Sequence, residues 1–252
     1  MDNQGTNVAD TITEARKPQS RWERWAALIR GQALVALGVA LLIAFAAVTA
    51  LVLFLDPTSM DLPITHEVQE LNFEPTNWLW SAISAPGYPP FNYLVPAVTI
   101  AVVALFRRYA AAVFLFVAVL AVGAAEVMKV LVHRVRPGGP FVIVVGTPTG
   151  YSFPSGHVTE YTLFFGFCFY LAFTLLKKSV LRTVLLWICA IMVILIGPSR
   201  IWLGAHWASD VLGGYTLALG LLLLVIWAYR KWEERAVAKP INDGSTVAAK
   251  QP

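Results

Sequence analysis

The stretch GQALVALGVALLIAFAAVTALVLFL, from Gly31 to Leu55, contains no charged side chain. A helix that crosses the hydrocarbon core of a bilayer needs about 20 mostly apolar residues. This stretch is long enough, and it lacks the polar face that a surface helix of a soluble protein turns toward water. It therefore predicts a transmembrane helix.

The rest of the chain repeats this pattern. Of its 252 residues, 58% are hydrophobic and 13% are charged, whereas a soluble domain has about 25% charged residues. The charges are clustered, and further long windows are free of them. We predict an all-α fold, a bundle of six transmembrane helices, of which the second is short and carries Pro96. The predicted helices cover residues 31–55, 90–106, 109–132, 157–176, 181–200 and 210–229.

The two ends of the chain differ from this membrane domain, which we place at residues 31–232. Residues 1–30 are polar and charged, so we expect a cytoplasmic segment that is not a cleaved signal peptide. Trp22 and Trp25 lie on one helical face between arginines, which fits either a short interfacial helix or a frayed tail. Residues 233–252 are predicted to be a disordered cytoplasmic tail. Cys168 and Cys189 lie in apolar helices and are expected to be unpaired thiols.

Lysine and arginine favour the cytoplasmic loops of membrane proteins. In the six-helix arrangement they concentrate in the N-terminal segment, in the loops after helices two and four, and at the C-terminal end. The first opposite-side loop, residues 56–90, has five acidic residues but no lysine or arginine, and we interpret it as an interfacial cap. The pattern predicts that both termini are cytoplasmic and that the loops after helices one, three and five face outward.

Two outward loops break this bias, because residues 129–136 and 200–206 carry lysine, arginine and histidine. Ionisable residues at membrane depth are hypotheses of function. On a continuous helix up to Pro137, Lys129 and Arg136 would lie on one face with His133 between them. Arg134 would point elsewhere, and we expect it to reach lipid headgroups.

The sequence Pro154-Ser155-Gly156-His157 stands where the fourth helix begins. A helix N-terminus has free backbone N–H groups and a partial positive charge, which suit an anion. Gly156 allows the backbone to approach closely, Ser155 adds a hydroxyl, and His157 can donate a proton. The loop before it, residues 138–153, is either a short hairpin that dips into the membrane interface, as a lid or a lipid-tail contact, or a packed loop.

The third polar segment contains Arg200, His206 and Asp210. His206 and Asp210 are spaced i, i+4, so a helix would bring them together, and a carboxylate beside an imidazole stabilises the imidazolium cation. Several cations, a helix N-terminus and two histidines together are typical of phosphoryl transfer, in which charge on three oxygens must be neutralised. The sequence shows no cluster of carboxylates that would predict a divalent metal site.

At these residues the sequence resembles the type 2 phosphatidic acid phosphatase superfamily, in its membrane lipid phosphatase branch. The family pattern K-x-x-x-x-x-x-R-P occurs at residues 129–137, P-S-G-H at 154–157 and S-R-x-x-x-x-x-H-x-x-x-D at 199–210. Soluble vanadium haloperoxidases share the pattern, but six predicted spans favour the membrane branch. The resemblance implies no metal, no cofactor, and a phospholipid or polyprenyl-phosphate substrate at the extracytoplasmic face of the cell membrane.

The resemblance also implies the role of each residue. His206 would attack phosphorus and become a phosphohistidine, Asp210 would support it, and His157 would act as general acid and base. The implied phosphate-binding residues are Lys129, Arg136, Ser155, Gly156 and Arg200. His133, Pro154 and Ser199 adjoin these positions and are possible further contacts.

Within this class, the substrate stays open between undecaprenyl pyrophosphate, phosphatidylglycerophosphate, phosphatidate and lipid A phosphate. A phosphotransferase that passes the phosphoryl group to an alcohol is an alternative, and so is a transporter or an inactive scaffold. A transporter is disfavoured because its site lies near the bilayer midplane, whereas these charges cluster at one face. Membrane lipids are the expected surroundings, nucleic acid is not an expected partner, and the sequence predicts no oligomeric state.

Overall fold

The computed structural model describes residues 21–238, apart from 56, 71–73 and 141, and these residues form helices and connecting loops without a strand. One short 3₁₀ turn, Ala85–Gly87, follows the third helix. The helices are α1 (Arg21–Phe54), α2 (Pro57–Glu70), α3 (Glu74–Ser84), α4 (Phe91–Leu105), α5 (Tyr109–Leu120), α6 (Gly123–Val132), α7 (Gly156–Leu175), α8 (Val180–Trp202) and α9 (Ala208–Ala238).

Five stretches within the described residues are long and apolar enough to cross a membrane. They match five of the six predicted spans in length and composition, and several such helices are typical of a multi-pass membrane protein. They cover Gly31–Phe54, Tyr109–Val132, Gly156–Leu175, Val180–Trp202 and Ala208–Ala236.

The second predicted span is the exception. α4 is short, and it meets the preceding helical segment, Asn77–Gly87, at an angle of 60°. Pro86, Pro89 and Pro90 stand at this bend. Proline lacks a backbone N–H and disfavours helical geometry in the residue before it, so a straight helix cannot run through. A sixth crossing would require this bent pair to act as one span.

The ends of the chain also differ in part from the expectation. α9 continues to Ala238, so residues 233–238 of the segment predicted to be disordered are helical. Tyr229 donates to the Glu233 carboxylate at 2.6 Å, and Lys231 pairs with Glu234 at 2.7 Å. Residues 21–30 are the first turns of α1. Residues 1–20 and 239–252 lie outside the described part of the chain, and so do the predictions made for them.

The bundle is built around α9, which packs against α1 and α7, while α7 packs against α8. Leu115 of α5, Phe167 of α7 and Leu222 of α9 meet in its largest apolar cluster. Cys168 and Cys189 are unpaired, as expected. In this arrangement the C-terminal ends of α6 and α8 lie beside the N-terminal ends of α7 and α9. α2 and α3 pack against α8 at the same end.

Candidate active site

A cavity of about 760 Å³ opens among these four helix ends. Its lining includes six of the residues that the sequence singled out, and the loop residues Gly146–Thr149 close one side. The six residues are Lys129, Arg136, Gly156, His157, Arg200 and His206.

His206 lies in the short link between α8 and α9, where its backbone N–H bonds the carbonyl of Arg200 at 3.3 Å. Its side chain is 2% exposed. The Nη1 atom of Arg136 lies 3.2 Å from His206 Nε2. Because a guanidinium can only donate, Nε2 is the acceptor and the ring proton is on Nδ1. Nδ1 lies 3.5 Å from Oδ2 of Asp210, at the outer limit of a hydrogen bond.

This environment favours a neutral imidazole. Burial lowers the pKa of His206 to about 4, and the cations Arg200 and Arg136 act in the same direction, while Asp210 opposes them. The Nε2 lone pair therefore faces the cations that line the cavity. A neutral imidazole nitrogen in this position is able to act as a nucleophile.

Asp210 stands behind His206 in the first turn of α9 and is fully buried. Oδ2 accepts hydrogen bonds from Ser152 and from the backbone N–H of Trp207, the latter at 2.9 Å. Oδ1 accepts from Arg134 at 2.6 Å. The predicted meeting of His206 and Asp210 therefore occurs, although His206 precedes the helix and the two do not share a helical face.

Arg136 is held from three directions. Its Nε donates to the carbonyls of Thr149 and Gly150, both at 3.1 Å, and Nη1 donates to the carbonyl of Ala205 at 2.6 Å. Burial and the neighbouring Arg200 lower its pKa, but an arginine keeps its charge under any ordinary condition. The guanidinium thus stands fixed beside Nε2 of His206.

Arg200 also lines the cavity and is 2% exposed. Its Nη1 donates to the Tyr88 hydroxyl at 2.7 Å and to the Ser84 hydroxyl at 3.2 Å. The guanidinium also lies 5.4 Å from the centre of the Tyr88 ring, within cation–π range. The segment before α4 therefore holds this cation in place.

His157 packs edge-on against Tyr88, with ring centres 4.6 Å apart. A Cβ atom on Gly87 would lie 2.7 Å from His157 Nε2, a distance that real Cβ contacts do not allow. Only glycine permits this approach. Nε2 of His157 is buried and has no hydrogen-bond partner among the described residues, so it is available to a group bound in the cavity.

The N-terminus of α7 forms the third wall. Ser155, directly before this helix, is fully buried and is not among the residues that line the cavity, and its hydroxyl has no partner in the described part of the chain. A Cβ on Gly156 would stand 3.0 Å from Nζ of Lys129, so the glycine leaves room for this ammonium. Lys129 pairs with Glu126 at 2.7 Å. Free N–H groups of the first helical turn complete a surface suited to an anion.

Some expectations about the first segment are wrong. α6 ends at Val132, because His133 adopts a left-handed conformation with φ of 52° and terminates the helix. Arg136 therefore reaches the cavity from an extended segment and not from a helical stripe. His133 is exposed and packs against Tyr151, with ring centres 4.5 Å apart. It does not line the cavity.

Arg134 was expected at the lipid headgroups, and it is instead 7% exposed and bonded to two carboxylates. Pro154 is buried away from the cavity lining. Ser199 is fully buried, with its Oγ 2.9 Å from Oγ of Ser84, so it supports the wall that carries Arg200.

Sequence reasoning missed several residues of the site because they belong to no motif. Only Gly87 and Tyr88 had a recognisable signal in the sequence, because they stand in a Pro-Gly-Tyr-Pro turn. Nothing in the pattern linked Ser152 to Asp210 or Asp61 to Arg134.

The fold and the cavity together define a membrane protein with a cation-lined cavity at one end of its helical bundle. Residues 110–234 match the sequence model of the family described as the PAP2 superfamily. The chain therefore carries a PAP2 superfamily domain, which is the family of type 2 phosphatidic acid phosphatases.

Two curated relatives are similar to part of this chain. Phosphatidylglycerophosphatase B of Bacillus subtilis (strain 168) is 36% identical over 107 residues, which cover 40% of this chain and 48% of that protein. Undecaprenyl-diphosphatase of Sulfolobus acidocaldarius is 31% identical over 112 residues, which cover 43% of this chain and 50% of that protein. The chain spans about half the length of the curated relatives it matches.

A solved structure shows the same fold over a longer range. The crystal structure of the transmembrane PAP2 type phosphatidylglycerolphosphate phosphatase from Bacillus subtilis covers 81% of this chain and 98% of that chain. The TM-score is 0.67 and the sequence identity is 23%. The likeness extends beyond residues 110–234 and shows a shared helical architecture.

Proposed function

We propose that the protein is an integral membrane lipid phosphatase that works through a phosphohistidine on His206. The observation that carries this proposal is that His206 is a buried, neutral imidazole whose Nε2 atom, with its lone pair, lies 3.2 Å from the Arg136 guanidinium. Arg136, Arg200 and Lys129 surround the same cavity. They would neutralise the three equatorial oxygens of a transferring phosphoryl group, a task that metal ions perform in other phosphatases.

In the first step Nε2 of His206 forms a bond to phosphorus while the bond from phosphorus to the leaving oxygen breaks. His157 donates a proton to that oxygen, which is the role of a general acid. The imidazole becomes cationic, and the Asp210 carboxylate near Nδ1 stabilises it.

In the second step a water molecule attacks phosphorus, and His157 accepts a proton from it. The P–N bond breaks, inorganic phosphate leaves, and neutral His206 is restored. Ser155 and the N-terminus of α7 would hold the phosphate oxygens in both steps.

The proposed substrate is a lipid that carries a phosphomonoester or a diphosphate. The relatives support this range, since one is named for phosphatidylglycerophosphate and the other for undecaprenyl diphosphate. Both reactions use the same attack on phosphorus and differ in the bond broken. The charge pattern of the loops supports six spans with both termini in the cytoplasm. The site would then face the extracytoplasmic side of the cell membrane.

The test is release of inorganic phosphate by purified protein in detergent with excess chelator. Undecaprenyl pyrophosphate, phosphatidylglycerophosphate and phosphatidate are offered in parallel. We expect release from at least one of them, and we expect His206→Ala to abolish it. His133→Asn is the matched control, because this histidine is exposed outside the cavity and asparagine tolerates its left-handed conformation.

Release that survives in His206→Ala would overturn the phosphohistidine mechanism. Wild-type protein that forms an acid-labile phosphoenzyme and releases no inorganic phosphate, yet phosphorylates an added alcohol, would instead indicate a phosphotransferase.

A further inference from the structure

A buried ion-pair network lies behind the cavity and includes two residues outside the family pattern. Arg134 donates through Nη1 to Asp210 at 2.6 Å and through Nη2 to Asp61 of α2 at 2.5 Å. Asp61 is 2% exposed, Arg134 is 7% exposed and Asp210 is fully buried. Each of the two arginine nitrogens thus bonds a different carboxylate.

Asp61 also bonds the helix that carries Asp210. Its Oδ1 accepts from the backbone N–H of Ser209 at 2.8 Å, and Oδ2 accepts from the Ser209 hydroxyl at 2.7 Å. Ser209 stands in the first turn of α9, where N–H groups have no partner within the helix. Asp61, on α2, therefore accepts a hydrogen bond from a backbone N–H of the first turn of α9. The Ser209 hydroxyl also accepts from Arg134 at 2.7 Å, which closes the network.

The charges of this network bear on the nucleophile. Two carboxylates and one guanidinium sum to one negative charge, which lies behind Nδ1 of His206. Without Asp61, Arg134 would neutralise Asp210, and no net charge would remain to balance the cationic ring of a phosphohistidine. Without Arg134, the negative charge behind His206 would grow. The groups on the other side of the ring are Arg136 and Arg200, with Lys129 and His157 across the cavity.

We propose that Asp61 and Arg134 are positioning residues that orient Asp210 and set the charge behind His206, so that the imidazole is neutral before attack and stabilised after it. The inference rests on the proposed function, because it assigns the network to phosphohistidine formation. It adds a residue of the outer segment 56–90 to the catalytic support. Buried networks of this kind act as a unit, so each member affects the others.

Two substitutions should act on His206 in different ways. Asp61→Asn leaves the shape but removes one negative charge, and we expect the rate of phosphohistidine formation to fall about 10- to 100-fold, the range for loss of an orienting partner. KM should change little, since Asp61 does not line the cavity.

Arg134→Gln leaves the charge of Asp210 unbalanced and raises the proton affinity of His206. The acid limb of the rate profile should then move to higher pH.

The experiment measures phosphate release from phosphatidylglycerophosphate between pH 4 and 8 (a range around the ordinary histidine pKa of about 6.5), together with the ¹⁵N shifts of ring-labelled histidine in bilayers. The variants are Asp61→Asn, Arg134→Gln, the double variant, and Glu67→Gln, an exposed position on the same helix. The nitrogen shifts report on His206 even if this lipid is not the substrate. Failure of the proposed function and failure of this inference are therefore distinguishable.

We expect His206 to protonate at higher pH in Arg134→Gln than in the wild type, and not in Asp61→Asn. Removing one partner of a buried ion pair can also destabilise the whole protein, so a lower rate in a single variant has two possible causes. The double variant restores one net negative charge and should therefore release phosphate faster than Asp61→Asn. A purely structural role predicts unchanged His206 shifts in every folded variant, and a double variant no faster than the single one. Either result would overturn the proposal.

Discussion

At the scale of single residues, burial controls the protonation of His206. Asp210 alone would favour a protonated ring, yet desolvation and the two arginines of the cavity outweigh it. Nε2 can therefore accept a hydrogen bond from Arg136, and its lone pair is available for the attack on phosphorus that we propose.

The lowered pKa predicts how His206 responds to acid. At pH 5.5 a histidine with an ordinary pKa of about 6.5 is roughly nine-tenths protonated, whereas His206, with a pKa of about 4, stays neutral. Between these two values the unfolded chain binds a proton that the folded ring does not, so the folded state loses stability as pH falls through this window. The ¹⁵N spectrum at pH 5.5, assigned with His206→Gln, should show one neutral imidazole at this position.

A protonated His206 at pH 5.5 would contradict this prediction. It would mean that water reaches the ring or that Asp210 outweighs burial, and the nucleophile would then need a separate base.

Gly87 provides a second test at this scale. In Gly87→Ala the new Cβ would overlap the His157 ring and displace it from the cavity. A misplacement of about 1 Å can reduce a rate about 100-fold, so we expect kcat to fall by about that factor. Gly138→Ala is the matched control, because no atom lies within 4 Å of the added Cβ. Equal rates for both variants would show that His157 has room to shift without loss.

At the scale of helices, α2 holds the loop that closes the cavity. The Gln69 amide donates to the carbonyls of Ile143 at 2.7 Å and Trp202 at 3.0 Å, and it accepts from the Ile143 N–H at 3.1 Å. Val145 adds a backbone bond to Leu203 at 2.9 Å. The loop of residues 138–153 is therefore attached on its outer side to α2 and to the end of α8, while Arg136 bonds its inner side.

Gln69→Leu should release this loop. Without Gln69 the part-buried N–H and carbonyl of Ile143 lose their partner, so the Ile143 amide should exchange its hydrogen faster. KM should rise, because Gly146–Thr149 line the cavity. Glu67→Gln, an exposed neighbour on α2, should leave both quantities unchanged. Unaltered exchange at Ile143 in Gln69→Leu would show that the loop holds its position without α2.

At the scale of the whole molecule, the polar machinery lies at one end of the bundle. α6 and α8 deliver Lys129 and Arg200 from their C-terminal parts, whereas α7 and α9 deliver His157 and Asp210 from their N-terminal turns. The body of the bundle is apolar. This one-sided distribution suits chemistry on a lipid headgroup and does not form a polar path through the membrane.

The proposed orientation predicts which end is accessible from outside the cell. In a background of Cys168→Ala and Cys189→Ala, a membrane-impermeant maleimide should label Gly138→Cys in intact cells. It should label Lys178→Cys, in the exposed loop between α7 and α8, only after the membrane is permeabilised. The reverse pattern would place the cavity on the cytoplasmic side.

The sequence by itself predicted the membrane class, five of the candidate spans and six of the residues that line the cavity. Charge-free windows and short motifs are local features, and local spacing was sufficient to bring His206 near Asp210. Sequence reasoning failed where a turn or a bend intervened, as at His133, which ends α6, and at the prolines before α4.

Only the tertiary structure decided how the site is supported. Asp61 and Arg134 are 73 positions apart, and Ser84 and Arg200 are 116 apart. Contacts over such distances depend on how helices pack, and neither periodicity nor motif spacing encodes them. A buried arginine and an arginine at the headgroups look alike in sequence, because the difference between them is a carboxylate contributed by another helix.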